Sequence, residues 1–359
     1  MTELNLRLIG SCPSIGNAST GKGYLLNVEH AAKCADQNGW DSILIYADHR
    51  QADPWLIAQV VIQATSQLKP LVALQPLYAH PFTIAKSIAT IAYIYGRQVR
   101  LNMIAGGSPL DLESFCDSVP HDRRYNRIVE YATIVRDLFC ELGLVSSAGE
   151  FYQVRNLQLL PRLQPDLWPT FMISGSSAAG LEAATRIGAI AVQYLRPAGE
   201  LTTFGFNKRL QHATRLGIIA RESHESAWLA ALKRYPEDQD RARLRQVATN
   251  VSDSVWVKEL NRAIDVRVGH PYWLGPFKNY YAPCPFLVGS CNEVIAELVE
   301  YIGLGIRTFL LVQPEDEEDY GRVNEIFRAA QAQAISRGAS KLNDAVQSGS
   351  VPQGLPSQF

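Results

Sequence analysis

Residues 40–77 read WDSILIYADHRQADPWLIAQVVIQATSQLKPLVALQPL. Trp40 to Ala47 is a short apolar run of strand length. Trp55 to Leu68 repeats apolar residues at helical spacing, and Lys69 to Leu77 is a second apolar run. Two parallel strands need a crossover connection, and a helix of this kind supplies it. The stretch is therefore one strand–helix–strand unit, and the same rhythm extends outward in both directions. Upstream, Asn5 to Cys12 reads as a strand and Leu25 to Asn38 as an amphipathic helix stopped by Gly39. Downstream come a helix from Pro81 to Tyr95 and a strand from Val99 to Ala105. Further strands are expected at Thr170–Ser174, Ala189–Leu195, Leu210–Ala220 and Arg307–Val312, with helices at Ala178–Ile187, Glu293–Ile302 and around Tyr320–Gln331. Eight strands in this alternation predict an α/β fold of the closed (β/α)8 TIM-barrel type. An open doubly wound sheet is the alternative, but the first turn, Ser11 to Gly16, has no Gly-x-Gly-x-x-Gly.

Two long insertions interrupt the units, at about 108–169 after strand four and about 222–285 after strand seven. On a barrel such loops lie over the C-terminal face, where active sites are built. Residues 1–335 are expected to form a single barrel domain. The remainder, 336–359, is rich in Ser, Gly, Gln and Pro and is expected to be a flexible tail.

Composition narrows the function. Of 359 residues, 47% are apolar and 19% charged, enough to bury a large core. Lys plus Arg number 34 against 35 Asp plus Glu, a net charge of −1, so the chain lacks the basic footprint of a nucleic-acid binder. No polybasic segment suits an anionic membrane, and no apolar run has the length of a membrane span. Met1 to Leu8 does not read as a signal peptide. The six cysteines are scattered without metal-ligand spacing, which points to reduced, buried thiols in a cytoplasmic protein and to no metal site.

Three segments carry candidate chemistry. Strand four ends in Leu101-Asn102-Met103-Ile104-Ala105-Gly106-Gly107-Ser108, followed by His121-Asp122-Arg123-Arg124-Tyr125. Pro169 to Ala179 is a strand running into Ser174-Gly175-Ser176-Ser177. Phe286-Leu287-Val288-Gly289-Ser290 precedes a helix and the last strand. A Ser-Gly-Ser-Ser turn at a helix start offers free N–H groups, the helix dipole and hydroxyls to a phosphate; alternatively it is an ordinary serine cap. His121 and Tyr125, four apart, share one helix face and can donate to a phosphate or a polar ring edge. The bland alternative is a solvated helix start that includes Arg123 and Arg124. Asn102 can serve a flavin or substrate, or satisfy neighbouring backbone.

In this order the three segments resemble the bacterial luciferase-like flavin-dependent monooxygenases, with the alkanesulfonate monooxygenase branch as the nearest likeness. The resemblance runs from about Asn5 to Arg328 and is weakest between Glu222 and Asn279. It implies a (β/α)8 barrel, reduced FMN (FMNH2) from a separate NAD(P)H-dependent flavin reductase, and O2 as co-substrate through a flavin peroxide. Carried over residue by residue, it sets the flavin ring by Asn102 and the phosphate by His121, Tyr125, Gly175, Ser176 and Ser177. It also implies a homodimer or homotetramer. The apolar stripe Ile84, Ile88 and Ile91 is one face such packing can bury, or else it faces the chain's own sheet.

The substrate positions depart from the sulfonate branch. Its cysteine after strand two is Gln51 here, and its histidine near strand one has no counterpart around Cys12 and Pro13. Its Arg-x-His on strand seven is Arg215-Leu216-Gly217, its tyrosine after strand eight falls near Pro314, and its lid arginine falls in Phe277–Tyr280. The expected substrate is therefore a small organic molecule, an organosulfur compound or specialised metabolite among the candidates. Arg215, in register with Ala213 and Gly217, is the expected catalytic cation, with small neighbours leaving room for its guanidinium. Asp48 and His49 can form a base held by a carboxylate, or belong to a solvated charged loop. The aromatic segment His270 to Tyr281 can act as a lid or simply pack the insertion. Two other functions stay open on the same barrel: a deazaflavin (F420)-dependent dehydrogenase and a non-catalytic flavin-binding relative.

Overall fold

The computed structural model describes residues 4–17, 20–140, 143–201, 210–263 and 270–347. The chain begins β1 (Arg7–Ser11), α1 (Gly21–Gln37), β2 (Ser42–Ile45), α2 (Pro54–Ala64), β3 (Lys69–Leu74), α3 (Pro81–Tyr95) and β4 (Arg100–Ile104). The first insertion holds α4 (Pro109–Ser114), α5 (His121–Cys140) and a hairpin of β5 (Val145–Ala148) and β6 (Gln153–Leu157). Next come β7 (Thr170–Ser174), α6 (Ala178–Ile187), β8 (Ile190–Tyr194), α7 (Ala198–Leu201) and β9 (His212–Arg221). The second insertion holds α8 (His224–Arg234), α9 (Gln239–Val251), α10 (Val255–Arg262), β10 (Tyr272–Trp273) and α11 (Gly275–Lys278). The chain continues through β11 (Phe286–Ser290), α12 (Cys291–Gly303), β12 (Ile306–Leu311) and α13 (Glu317–Gln347).

Eight strands close a parallel barrel in the order β1-β2-β3-β4-β7-β8-β9-β12, with β12 returning to β1 through Ile9 opposite Leu310. These are the eight runs expected from the sequence. Alternate residues point inward, and Ile9, Leu44, Leu71, Met172, Val192 and Leu310 fill one interior cluster. The intervening residues pack beneath the helices, so both strand faces are largely dry and strands such as β2 read as unbroken apolar runs. At the N-terminal end the buried Arg100 closes the barrel against Asp41, 2.7 Å away. Helix α5 packs against α3 and α6 and so takes the fourth place in the helical ring.

β9 differs from expectation in its partners. Its first half lies between β8 and β12; from Gly217 onward it pairs instead with β11, Phe286 opposite Gly217 and Ser290 opposite Arg221. A Cβ on Gly217 would sit 2.2 Å from the Phe286 ring, so glycine is what permits the exchange of partners. The space beside Gly217 therefore holds an aromatic ring rather than a guanidinium. The Ile84–Ile88–Ile91 stripe lies against the chain's own core, with Ile84 and Ile88 buried and Ile91 packed at the edge. Helix α13 runs to Gln347, into the segment read as a tail, whose last residues, 348–359, lie outside the described ones. Among the described residues no helix is long and apolar enough to cross a membrane. All six cysteines are free thiols; Cys116 and Cys140 are exposed, against the expectation of burial.

Candidate active site

The C-terminal ends of β2, β3, β4, β7 and β8 open into a cavity of about 340 Å³, within the range of small-molecule sites. Ser174 to Ser177 form one wall, Gly106 and Gly107 another, and Ser252 to Val257 of the second insertion form part of the lining. Of the expected cofactor residues, His121, Tyr125, Gly175, Ser176 and Ser177 all line this cavity.

Their local geometry follows from α6. Ser177 caps the helix, its hydroxyl oxygen accepting from the Gly180 N–H at 3.2 Å. The same hydroxyl also hydrogen-bonds the Tyr125 phenol. Tyr125 is buried against the same turn. A Cβ on Gly175 would lie 2.3 Å from the Tyr125 hydroxyl, and one on Gly180 would lie 3.1 Å from its ring. Position 175 must be glycine for the phenol to reach the turn, and position 180 leaves the ring little room. Burial pushes the Tyr125 phenol above its ordinary range, opposed by a hydrogen bond with Ser177. His121 stacks edge-on to Tyr125 at 5.4 Å, and its Nδ1 lies 2.8 Å from the Asp122 carboxylate.

Asn102 stands one interior layer below Ile104 and is buried. Its Oδ1 accepts a hydrogen bond from Ser174 Oγ at 2.9 Å, so it meets the cavity wall through that serine. Arg215 faces inward, as its register with Ala213 implies, and is likewise buried without lining the cavity. It donates from Nη2 to the Tyr46 hydroxyl at 2.5 Å. Its Nε finds no partner, and no carboxylate pairs with it among the described residues. Tyr194, its register neighbour on β8, does line the cavity.

The loop after β2 is arranged differently from a His–Asp dyad. The Asp48 carboxylate accepts from the Arg50 backbone N–H at 2.8 Å and from Nε and Nη2 at 3.1 Å each. Partial burial pushes the Asp48 carboxyl up, but the hydrogen bonds and charge of Arg50 outweigh it and hold the group below its usual range. His49 Nδ1 lies 3.7 Å from Asp48 and 3.4 Å from Asp111, nearer the second carboxylate. Asp48, Arg50 and Asp111 line the cavity; His49 does not.

Sequence reasoning missed Arg124. Its side chain is 2% exposed, donates to the Gly106 carbonyl at 3.0 Å and pairs with Asp253. Ser252 Oγ and the Asp253 N–H both donate to the Gly107 carbonyl, at 3.0 and 3.3 Å. One buried guanidinium thus ties the second insertion to the turn after β4. The signal was its spacing: Arg124 shares a helix face with Ile128, Tyr131 and Val135, all buried. The aromatic segment at 270–281 packs the insertion instead of covering the cavity. Tyr272, Trp273 and Phe277 are buried, and the Tyr272 hydroxyl donates to the Leu195 carbonyl. The aromatic residue the insertion brings to the cavity is Trp256, stacked on Tyr194.

Comparison with known proteins agrees with this architecture. The sequence pattern of the luciferase-like monooxygenases matches residues 11–308. The chain is 33% identical over 324 residues to the 4-(gamma-L-glutamylamino)butanoyl-[BtrI acyl-carrier protein] monooxygenase BtrO of Niallia circulans, covering 88% of this chain and 94% of that one. Among solved structures, the EDTA monooxygenase EmoA of Chelativorans sp. BNC1 superposes with a TM-score of 0.66 at 13% identity, over 93% of this chain and 94% of that one. The monooxygenase RslO1 of Streptomyces bottropensis gives 0.63 at 17%, over 90% and 97%. At such identities these two likenesses show the fold.

Proposed function

Because the chain belongs to the luciferase-like monooxygenase family, we propose that it is an FMNH2-dependent monooxygenase acting on an acyl group carried as a thioester. The observation that carries the cofactor half is the meeting of Tyr125 with the Gly175–Ser177 turn in the cavity wall. The residues there fit a flavin phosphate. Ser176 offers a hydroxyl, Ser177 joins its own hydroxyl to that of Tyr125 at the same point, and the first N–H groups of α6 add the positive end of a ten-residue helix. His121 and Tyr125 stand beside them, and Asn102 would steady the ring end through Ser174.

Reduced FMN, once bound, supplies the two electrons that split dioxygen, one oxygen atom going to the substrate and the other to water. The chain's own residues do the rest. The Arg124–Asp253 tie holds Ser252 to Val257 against the turn after β4, where this segment would help to keep water from a bound flavin, and Trp256 and Tyr194 give the cavity its aromatic lining. Arg215 and Tyr46 form a polar pair in the barrel interior.

The cavity does not suit a sulfonate. Its arginine, Arg50, is already clasped by Asp48, and the Asp48 and Asp111 carboxylates would repel an anion. An amine-bearing acyl group agrees better: the γ-glutamyl group named for the relative from Niallia circulans carries an α-ammonium that these carboxylates can meet, beside its own α-carboxylate. A separate NAD(P)H-dependent reductase supplies the FMNH2, the enzyme works as a homodimer or homotetramer, and its free thiols suit the cytoplasm.

The test is a single turnover with photoreduced FMN, 18O2 and acyl thioesters, followed by mass spectrometry. Incorporation of one labelled oxygen atom is expected. Release of all the oxygen as hydrogen peroxide with every thioester, while a free acid or sulfonate is oxidised, would overturn the substrate class. Absence of FMN binding would overturn the whole reading.

A further inference from the structure

Helix α9 is amphipathic in the wrong sense. The residues it buries are Arg245 and Thr249; those it exposes include Leu244 at 58%, Val247 at 61% and Val251 at 46%. Arg245 faces inward, donating to the carbonyls of Phe277 and Ala282 at 2.9 and 3.2 Å with its guanidinium over the Phe277 ring. With the cation inside, the apolar side must face out. Leu244, Val247 and Val251, at i, i+3 and i+7, make one stripe, continued after the helix by Val255 at 39% exposed. A contiguous apolar stripe on a monomer surface marks an interaction site.

Two further features say what the stripe meets. First, it leads to the cavity, since Ser252 and Val255 both line it. Helix α9 has 13 residues and is about 20 Å long, so every point on the stripe is within reach of the cavity for an extended flexible arm. Second, its surroundings are basic. Within 239–262 the carboxylates of Asp253 and Glu259 are taken by Arg124 and Arg196 from outside the segment. Arg241, Arg243, Lys258 and Arg262 then stand against two carboxylates, Asp238 at 3.7 Å from Arg241 and Asp240 at 3.3 Å from Arg243, so positive charge is left in excess, with Arg243 77% exposed in its side chain.

We infer that the outer face of α9 docks an acidic carrier protein, whose pantetheinyl arm enters the cavity past Val255. The inference rests on the thioester substrate proposed above. Carrier proteins are small acidic domains that present an apolar patch beside the arm, complementary in charge and polarity to this stripe.

The test uses a holo acyl carrier protein bearing a 4-(gamma-L-glutamylamino)butanoyl thioester, and the same acyl group on free pantetheine. The carrier's binding to the full-length enzyme is read by fluorescence anisotropy at low and high salt. Wild type should bind it in a salt-sensitive manner. Arg243→Glu and the pair Leu244→Glu/Val247→Glu should each weaken binding at least tenfold. FMN titrations and oxidation of the pantetheine thioester should be unchanged, which shows the variants are folded. Equal carrier binding by wild type and variants, or none by wild type, overturns the docking surface. So does loss of a wild-type dimer in the Leu244→Glu/Val247→Glu variant by light scattering, because the stripe would then join two copies of this chain. Oxidation of the pantetheine thioester without carrier binding sinks the docking surface alone. Failure of both thioesters in an enzyme that binds FMN sinks the substrate reading beneath it.

Discussion

The hydroxyl of Tyr125 occupies the position a side chain on residue 175 would need: a Cβ there would come within 2.3 Å of it. The helix after β4 and the turn after β7 therefore interlock at one point, and that point is in the cavity wall.

Gly175→Ala should displace the phenol and weaken FMN binding about tenfold, with little loss of stability because the turn is at the surface of the core. Tyr125→Phe removes the clashing oxygen. The double variant Gly175→Ala/Tyr125→Phe should therefore bind FMN better than Gly175→Ala alone, a coupling read directly from a double-mutant cycle. Replacing Ser176 and Ser177 together by alanine should cost about 1–3 kcal/mol of FMN affinity through lost charge-assisted hydrogen bonds. Unchanged titrations in the serine pair would remove the phosphate from this turn.

Asp253→Ala would leave the buried Arg124 guanidinium without its counter-charge, holding only the Gly106 carbonyl. A loss of about 2–3 kcal/mol is expected in chemical denaturation, set by the unpaired buried charge. The tie also holds the cavity lining, so FMN affinity should fall with stability. Replacing both residues by Arg124→Met and Asp253→Leu should recover stability but not FMN affinity.

How much of this was readable beforehand depended on which physical signal each residue carries. The barrel strands were legible because a parallel strand buried on both faces is written as an unbroken apolar run, as in Ser42–Ile45 and Lys69–Leu74. Gly175, Ser176 and Ser177 were legible as a helix start, because a serine-rich turn after an apolar run is a capping signal, and that turn lies in the cavity wall. Arg215 was read correctly as inward, yet its partner Tyr46 lies 169 residues away and left no local trace. Arg124 and Arg245 were missed because buried arginines contradict the polar-outside rule, and only their tertiary partners account for them. The Phe286–Ser290 run was seen as a motif and not as a strand, since its pairing with the second half of β9 depends on Gly217.

Acid sensitivity should trace in part to Asp117. Its buried carboxylate accepts from both Nη atoms of Arg127, at 3.1 and 2.6 Å. Burial acts to raise its pKa, but the hydrogen bonds and charge of Arg127 prevail and hold it below the usual carboxylate value. A depressed folded-state pKa means the pair contributes fully above about pH 4, the unfolded value, and its contribution is lost as pH falls toward the folded value. Asp117→Asn should lower stability at pH 7 by about 3 kcal/mol and flatten the decline below pH 4. Parallel acid limbs in variant and wild type, measured by urea denaturation across pH, would clear Asp117 of the effect.

Arg215 is a buried cation held by a phenol, with its Nε unpaired and no carboxylate beside it among the described residues. Such a charge costs stability unless the interior uses it. If it stabilises developing negative charge during oxygen transfer, Arg215→Ala should cut coupled turnover by about 100-fold while FMN affinity changes little, since the phosphate site proposed above is at the start of α6. Arg215→Lys should rescue only in part, because an ammonium cannot both hold Tyr46 and keep a second donor in the same plane. Tyr46→Phe separates the alternatives. It breaks the 2.5 Å hydrogen bond but leaves the guanidinium charge in place. A turnover loss in Tyr46→Phe as large as in Arg215→Ala would mean that the arginine acts by positioning the phenol. A small loss would assign the effect to the charge itself. Single-turnover oxidation, comparing oxygenated product with released hydrogen peroxide, reads both variants on one scale. Wild-type rate and full coupling in Arg215→Ala would make the residue structural and leave the Asp48–His49–Asp111 group at the mouth as the candidate to pursue.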